Sequence, residues 1–146
     1  MIWREATRAD IPAVVALLAD DMLGKTREIA GMDRYLAAFG SMQSEPGNRL
    51  YVAEDQGRVV ACYQLITMSG LSLSASRRAE LEGVRVAADR RGQGLGAALI
   101  ADAEARARAS GAVLLQFTTN AARTDAHRFY RRLGFTPSHI GFKKPL

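Results

Sequence analysis

Residues 84–111 read VRVAADRRGQGLGAALIADAEARARASG: a short alternating apolar run, a turn with three glycines at alternate positions, and a long alanine-rich stretch. Few folds accommodate such a segment. The alternating run specifies a strand, and the stretch after the glycines specifies a helix closed by Gly111. The glycines between them let the backbone approach a ligand without a Cβ in the way. A strand that enters a helix through such a turn exposes backbone N–H groups with no intrahelical partner. Together with the positive end of the helix dipole they make an anion site. Arg90 and Arg91 add charge at its mouth, and a pyrophosphate is the natural guest.

Two other phosphate motifs fail on context. Gly92, Gly94 and Ala97 satisfy the pattern G-x-G-x-x-G/A of dinucleotide-binding folds, but there the strand runs almost directly into the first glycine and an acid follows about twenty residues later. Here the polar residues AADRR intervene, and the next strand ends in QFTTN without an acid. No Lys-Ser/Thr pair follows the glycines, which excludes a P-loop. A merely flexible turn leaves the two arginines at the helix mouth unexplained.

The remaining sequence sets this segment in a mixed α/β domain. A strand is expected over 3–7, then an amphipathic helix in TRADIPAVVALLADDM, capped by Thr7 or Asp10, with Ile11, Val14, Val15 and Leu18 at helical spacing. A second helix is expected over 31–44, ended by EPGN. RLYVAEDQGRVVACYQLITM predicts an antiparallel hairpin around EDQGR. AELEGVRVA is the strand before the glycine turn. On the helix after it, Asp102/Arg106 and Glu104/Arg108 are expected as i,i+4 pairs on the outer face. A strand at AVLLQFTT, a helix at TDAHRFYRRL stopped by Gly134, and a last strand or pair near FTPSHIGFKK complete the order β-α-α-β-β-β-α-β-α-β. With 146 residues and no repeat or linker, a single domain over 1–146 is expected.

Composition narrows the function classes. The only cysteine, Cys62, lies in an alternating apolar run and is expected to be a buried packing residue. No Cys, His or carboxylate stands at ligand spacing around His127 or His139, so no metal site is expected. The N-terminal stretch carries acids and arginines from its first turn and reads as neither a signal peptide nor a membrane span; a cytoplasmic setting is expected. The net charge of +5 favours an anionic ligand. Arg77, Arg78, Arg131 and Arg132 do not form the interleaved basic and aromatic surface of a nucleic-acid binder.

Arg91-Gly92-Gln93-Gly94-Leu95-Gly96 resembles the Q/R-x-x-G-x-G/A motif of the GCN5-related N-acetyltransferases (the GNAT family). AHRFYRRLGF, at 126–135, resembles that family's A-x-x-x-Y-x-x-x-G-F signature. The resemblance covers most of the chain. It implies the GNAT fold: an α/β domain whose mixed, mostly antiparallel central sheet is flanked by helices, with a splayed strand pair binding the coenzyme. It also implies acetyl-CoA as the acetyl donor. Arg91, Gly92, Gln93, Gly94, Leu95, Gly96 and Ala97 would then hold the pyrophosphate, and the strand residues Val84, Arg85 and Val86 the pantetheine arm. The N–H of Val84 would face the thioester carbonyl. Tyr130 would lie beside the coenzyme sulfur as general acid. The family often has an asparagine where this chain has Arg123; Asn120, three residues earlier, is the substitute candidate.

A primary amine has a pKa near 10, so only about one molecule in a thousand is neutral at pH 7 and a base assists. Glu80 and Glu82 share strand parity with Val84 and Val86, which would place all four toward one face. One of the two is the candidate base, Glu82 being nearer along the strand to the expected thioester. The expected acceptor is the primary amine of a small molecule. The alternatives are a macromolecular acceptor (a protein amino group or an aminoacyl-tRNA) and a non-catalytic acyl-CoA sensor. The acceptor pocket would be walled by roughly 23–45 and 67–78, with Asp20, Asp21, Glu28 and Asp33 available to attract a cation. Homodimers are common in the family, but no residue pattern here specifies an interface.

Overall fold

The computed structural model describes residues 1–21 and 24–146. Met22 and Leu23, which end the first expected helical stretch and begin the expected acceptor wall, lie outside the described residues. The chain divides into two compact units, Met1–Gln116 and Phe117–Leu146.

The first unit is built on one sheet of order β1-β2-β3-β4-β5. Its strands are β1 (Ile2–Glu5), β2 (Asn48–Asp55), β3 (Arg58–Met68), β4 (Arg78–Val86) and β5 (Leu114–Gln116). The first four are antiparallel to their neighbours, and β5 runs parallel to β4. The β2–β3 hairpin closes through Gln56 and Gly57, both at positive φ (51° and 77°). That is the two-residue turn whose twist matches the strands.

Helices cover the two faces of the sheet. On one, α1 (Ile11–Ala19) and α3 (Met32–Ser44) bury Ile11, Val14, Leu17 and Phe39 against Val52 and Cys62. A short turn, α2 (Gly24–Arg27), precedes α3, and another, α4 (Ser72–Ala75), lies in the β3–β4 connection. α1 starts at a polar lock. The N–H and hydroxyl of Thr7 donate to Asp10 at 2.7 and 2.9 Å, and Arg4 of β1 donates two hydrogen bonds to the same carboxylate at 2.7 and 2.8 Å. The other face is covered by α5 (Leu95–Ala109), which buries Leu99, Ile100 and Ala103. Gly111 (φ +83°) ends α5, with the Ala112 N–H returning to the Ala107 carbonyl at 3.0 Å.

Three expectations change within this unit. Asp102 and Arg106 do pair, at 2.8 Å, but not on the outer face. The hydroxyl of fully buried Tyr63 donates to Asp102, and the Arg106 guanidinium lies 4.1 Å from the centre of the Tyr51 ring. The pair thus fastens α5 to the sheet, while Glu104/Arg108 (3.0 Å) lies further out. β5 is shorter than AVLLQFTT suggested. The shared parity of the β4 residues also fails. Gln64 pairs with Glu82 while Cys62 pairs with Arg85, so Tyr63 opposes two residues, Gly83 and Val84. This is a β-bulge, and Gly83 carries the left-handed φ of +59° that it needs. Past the bulge the alternation shifts by one. Arg78, Glu80, Glu82 and Arg85 therefore share the face covered by α1 and α3, and Val86 turns to the face of α5.

The second unit contains α6 (Thr124–Arg132). Gly134 (φ +89°) ends it, with the Phe135 N–H donating to the Tyr130 carbonyl at 3.1 Å. Tyr130 packs among Phe117, Phe129 and Phe135, with ring centres 4.2, 5.1 and 5.9 Å away. The last expected strand, near FTPSHIGFKK, does not form: residues 136–146 are exposed and carry no regular structure. Pro137 contributes no N–H to a ladder, and Gly141 and Pro145 weaken strand pairing further.

Candidate coenzyme and acceptor site

The turn between β4 and α5 is built by its glycines. Ala87 is pinned by its N–H to the Val60 carbonyl at 2.9 Å, and residues 88–90 form a single 3-10 turn. Gly92 and Gly94 then adopt φ of +74° and +82°, and a Cβ built on either meets no atom within 4 Å. Glycine is therefore required by the backbone rather than by crowding. Gly94 is the N-cap of α5, and the first helical hydrogen bond runs from Ala98 to Gly94 at 3.1 Å. The N–H groups of Leu95, Gly96 and Ala97 thus have no helical acceptor, and no side chain caps them. A cavity of about 210 Å³ opens beside this turn, lined by Met1, Arg90, Gln93, Gly94, Leu95 and Ala98.

The arginines beside the turn have partners that the sequence did not disclose. Arg90 pairs with Asp55 at 2.7 Å. Arg91 donates to the Val86 carbonyl at 3.0 Å and to the carbonyl and carboxylate of Asp20 at 2.9 and 3.2 Å. Asp89 is bound by both terminal nitrogens of Arg58, which lowers its pKa, and its carbonyl accepts the Gln93 amide at 2.9 Å. These bonds brace the loop from both sides. Asp20 and Asp21, two of the acids expected to attract a cation, are both engaged, Asp21 with Arg85 at 3.0 Å. A third, Glu28, accepts the Tyr35 hydroxyl at 2.8 Å.

β4 offers an open edge. Its ladder with β5 covers only Arg78, Ala79 and Glu80, so from Leu81 to Val86 the edge away from β3 has no partner in β5. This is the splay of the parallel pair; beyond it the Val84 and Val86 carbonyls accept the guanidinium groups of Arg85 and Arg91 at 2.8 and 3.0 Å. Glu80 is half-buried and accepts the Gln116 amide at 3.0 Å. Glu82 is exposed, one residue before the bulge, opposite Gln64. Gln64 donates in turn to buried Asn48 at 2.8 Å. The two candidate bases thus stand on one polar strip of the sheet.

Burial pushes the Cys62 thiol up to about 12, which keeps it protonated and removes it as a nucleophile. In the second unit, the Asn120 carboxamide oxygen accepts the Ala122 N–H at 2.9 Å, and its carbonyl contacts the His127 ring at 3.1 Å. Among the described residues no group of His, Cys, Asp and Glu is arranged to hold a metal, and no helix is long and apolar enough to cross a membrane.

Comparison with known proteins agrees with this geometry. The sequence profile of the Acetyltransferase (GNAT) family matches residues 12–135. The aminoalkylphosphonate N-acetyltransferase of Salmonella typhimurium is 34% identical over 143 residues, covering 98% of this chain and 90% of that one. Among solved structures, a Bacillus halodurans protein described as a transcriptional regulator superposes with a TM-score of 0.94 at 39% identity, covering 99% of each chain. The glucosamine-6-phosphate N-acetyltransferase of Arabidopsis thaliana shares the fold, with a TM-score of 0.80 at 16% identity over 99% of this chain and 97% of that one. The glycine turn feeding an uncapped helix, the splayed β4–β5 pair and these likenesses place the chain in the GNAT family of acetyltransferases.

Proposed function

We propose that the protein transfers the acetyl group of acetyl-CoA to the primary amine of a small molecule by direct attack of the amine on the thioester. The observation that carries this reading is the start of α5, where two left-handed glycines lead into three N–H groups with neither a helical acceptor nor a side-chain cap. A pyrophosphate suits that donor set, because it needs several converging N–H groups and close backbone approach. Residues Arg91 to Ala97 would hold it. Acetyl-CoA supplies an activated acyl group on a thiolate leaving group. The open edge of β4 would bind the pantetheine arm at Val84, Arg85 and Val86, with the Val84 N–H donating to the carbonyl oxygen as charge develops there.

Glu82 is the proposed base, taking the amine proton directly or through water, with Glu80 as the alternative. The role of Tyr130 as proton donor to the sulfur is supported by the family signature at 126–135, and that of Asn120 on pantetheine by its place before α6. The relative that acts on aminoalkylphosphonates makes such amines the first acceptors to try. A cytoplasmic location is supported by the free, buried thiol of Cys62.

The test is release of CoA from acetyl-CoA in the presence of alkylamines, amino acids, aminoglycosides, aminoalkylphosphonates, peptides and aminoacyl-tRNA. The expected result is turnover with one class of small amine, matched mole for mole by acetylated product. Turnover with peptides or aminoacyl-tRNA alone would move the acceptor to a macromolecule. Tight acetyl-CoA binding without turnover on any amine would make the protein a sensor.

A further inference from the structure

We infer that Arg78 recognises an anionic group on the acceptor, so that the substrates are primary amines bearing a phosphonate, phosphate or carboxylate a few bonds from the nitrogen. The inference rests on the proposed amine acetylation and adds the second half of the substrate. Arg78, Glu80 and Glu82 lie on the same side of β4 ahead of the bulge at Gly83, pairing with Met68, Ile66 and Gln64 of β3. Successive members stand about 6.8 Å apart along the strand, and strand side chains lean along it. A cation and two carboxylates in a row on one face are complementary to a short zwitterion: the ammonium toward the glutamates, the anion toward the guanidinium.

Arg78 differs from its neighbours in its partners. Arg85, on the same face, is engaged with Asp21 at 3.0 Å and with the Val84 carbonyl at 2.8 Å. Arg77 points to the opposite face, where its terminal nitrogens donate to Ser69 and Thr67 at 3.0 and 2.9 Å. Arg78 is half-buried as a residue, and its guanidinium has no ion-pair or hydrogen-bond partner among the described residues. A guanidinium with no counter-ion in the fold keeps its donors available for an anionic ligand. One of its terminal nitrogens lies 3.8 Å from where a Cβ on Gly70 would stand, which sets the head group beside the β3–β4 connection. The planar guanidinium can meet a phosphonate or carboxylate through two parallel hydrogen bonds.

The experiment compares two amines, 2-aminoethylphosphonate and n-propylamine, with wild-type protein, Arg78→Gln and Arg78→Lys. Each acceptor's KM is measured, and its binding is followed by calorimetry with CoA present. The expected result is a 10- to 100-fold rise in KM and Kd for 2-aminoethylphosphonate in Arg78→Gln, the order of a charge-assisted hydrogen-bond pair. Arg78→Lys should fall in between, with values for n-propylamine and acetyl-CoA changed less than about twofold, since neither requires this cation. Equal effects on both amines, no effect on either, or no binding of 2-aminoethylphosphonate to wild type would overturn the inference. If wild type binds that ligand through Arg78 yet releases no CoA with any amine, the recognition stands and the proposed transfer fails.

Discussion

Glu82→Gln is expected to lower kcat by roughly 10²- to 10⁴-fold, the range that a positioned base contributes, with acetyl-CoA binding unchanged. Glutamine keeps the size of the side chain and one acceptor oxygen but cannot take a proton. Glu82 is exposed, so the substitution should cost little stability. Glu80→Gln is the control that separates the two carboxylates. Glu80 is held by the Gln116 amide, and its replacement should mainly disturb that contact and the β4–β5 pair, with a smaller loss of kcat. Single-turnover rates at saturating acetyl-CoA check this. Full activity in Glu82→Gln together with collapse in Glu80→Gln would move the base two residues along the strand.

Asp10→Asn is expected to destabilise the protein by about 3 kcal/mol at neutral pH, between the loss of a helix cap and the breaking of a buried ion pair. Asp10 is 8% exposed and carries the double hydrogen bond from Arg4 as well as the start of α1. The Arg4 guanidinium holds its carboxyl well below the usual carboxylate range, with burial opposing and the Thr7 N–H and hydroxyl assisting. Because the folded-state pKa is depressed, the stabilisation is present in full above the ordinary carboxylate pKa, near 4, and is lost as pH falls below it toward the folded value. Urea melts of both proteins should therefore differ most at pH 6 to 7 and converge as the pH is lowered from about 4 toward 2. A constant gap across that range would show that Asp10 acts by packing rather than by charge.

What could be read ahead of the structure was whatever a local pattern dictates. The glycine turn, the hairpin around EDQGR and the helix stops at Gly111 and Gly134 each answer to a positive φ at one or two neighbouring residues, so sequence suffices for them. The face on which each β4 side chain lies depends on register across strands, and there the alternation from Glu80 to Val86 misled. Gly83 was the available signal, since a glycine inside a strand marks a bulge. Asp102 and Arg106 looked like a solvated helix pair because nothing local indicates that Tyr63, 39 residues earlier, lies beneath them. The Arg91–Asp20 and Arg90–Asp55 pairs are likewise products of tertiary approach. The closing strand expected near FTPSHIGFKK does not form: Pro137 removes a ladder donor, and the segment carries no regular structure.

The central claim is that the turn from Arg91 to Ala97 grips the pyrophosphate of the donor, and calorimetric titration of wild type and Gly94→Ala tests it most directly. Two ligands are compared: acetyl-CoA, and S-acetylpantetheine, which lacks the pyrophosphate. Alanine at φ +82° costs about 1–2 kcal/mol of strain and shifts the N–H groups that open α5. The account predicts that Gly94→Ala, still folded by circular dichroism, binds acetyl-CoA at least about tenfold more weakly, one charge-assisted hydrogen bond or more. S-acetylpantetheine should bind both proteins alike. Acetyl-CoA affinity unchanged in the folded variant, or a loss shared equally by the two ligands, would contradict it.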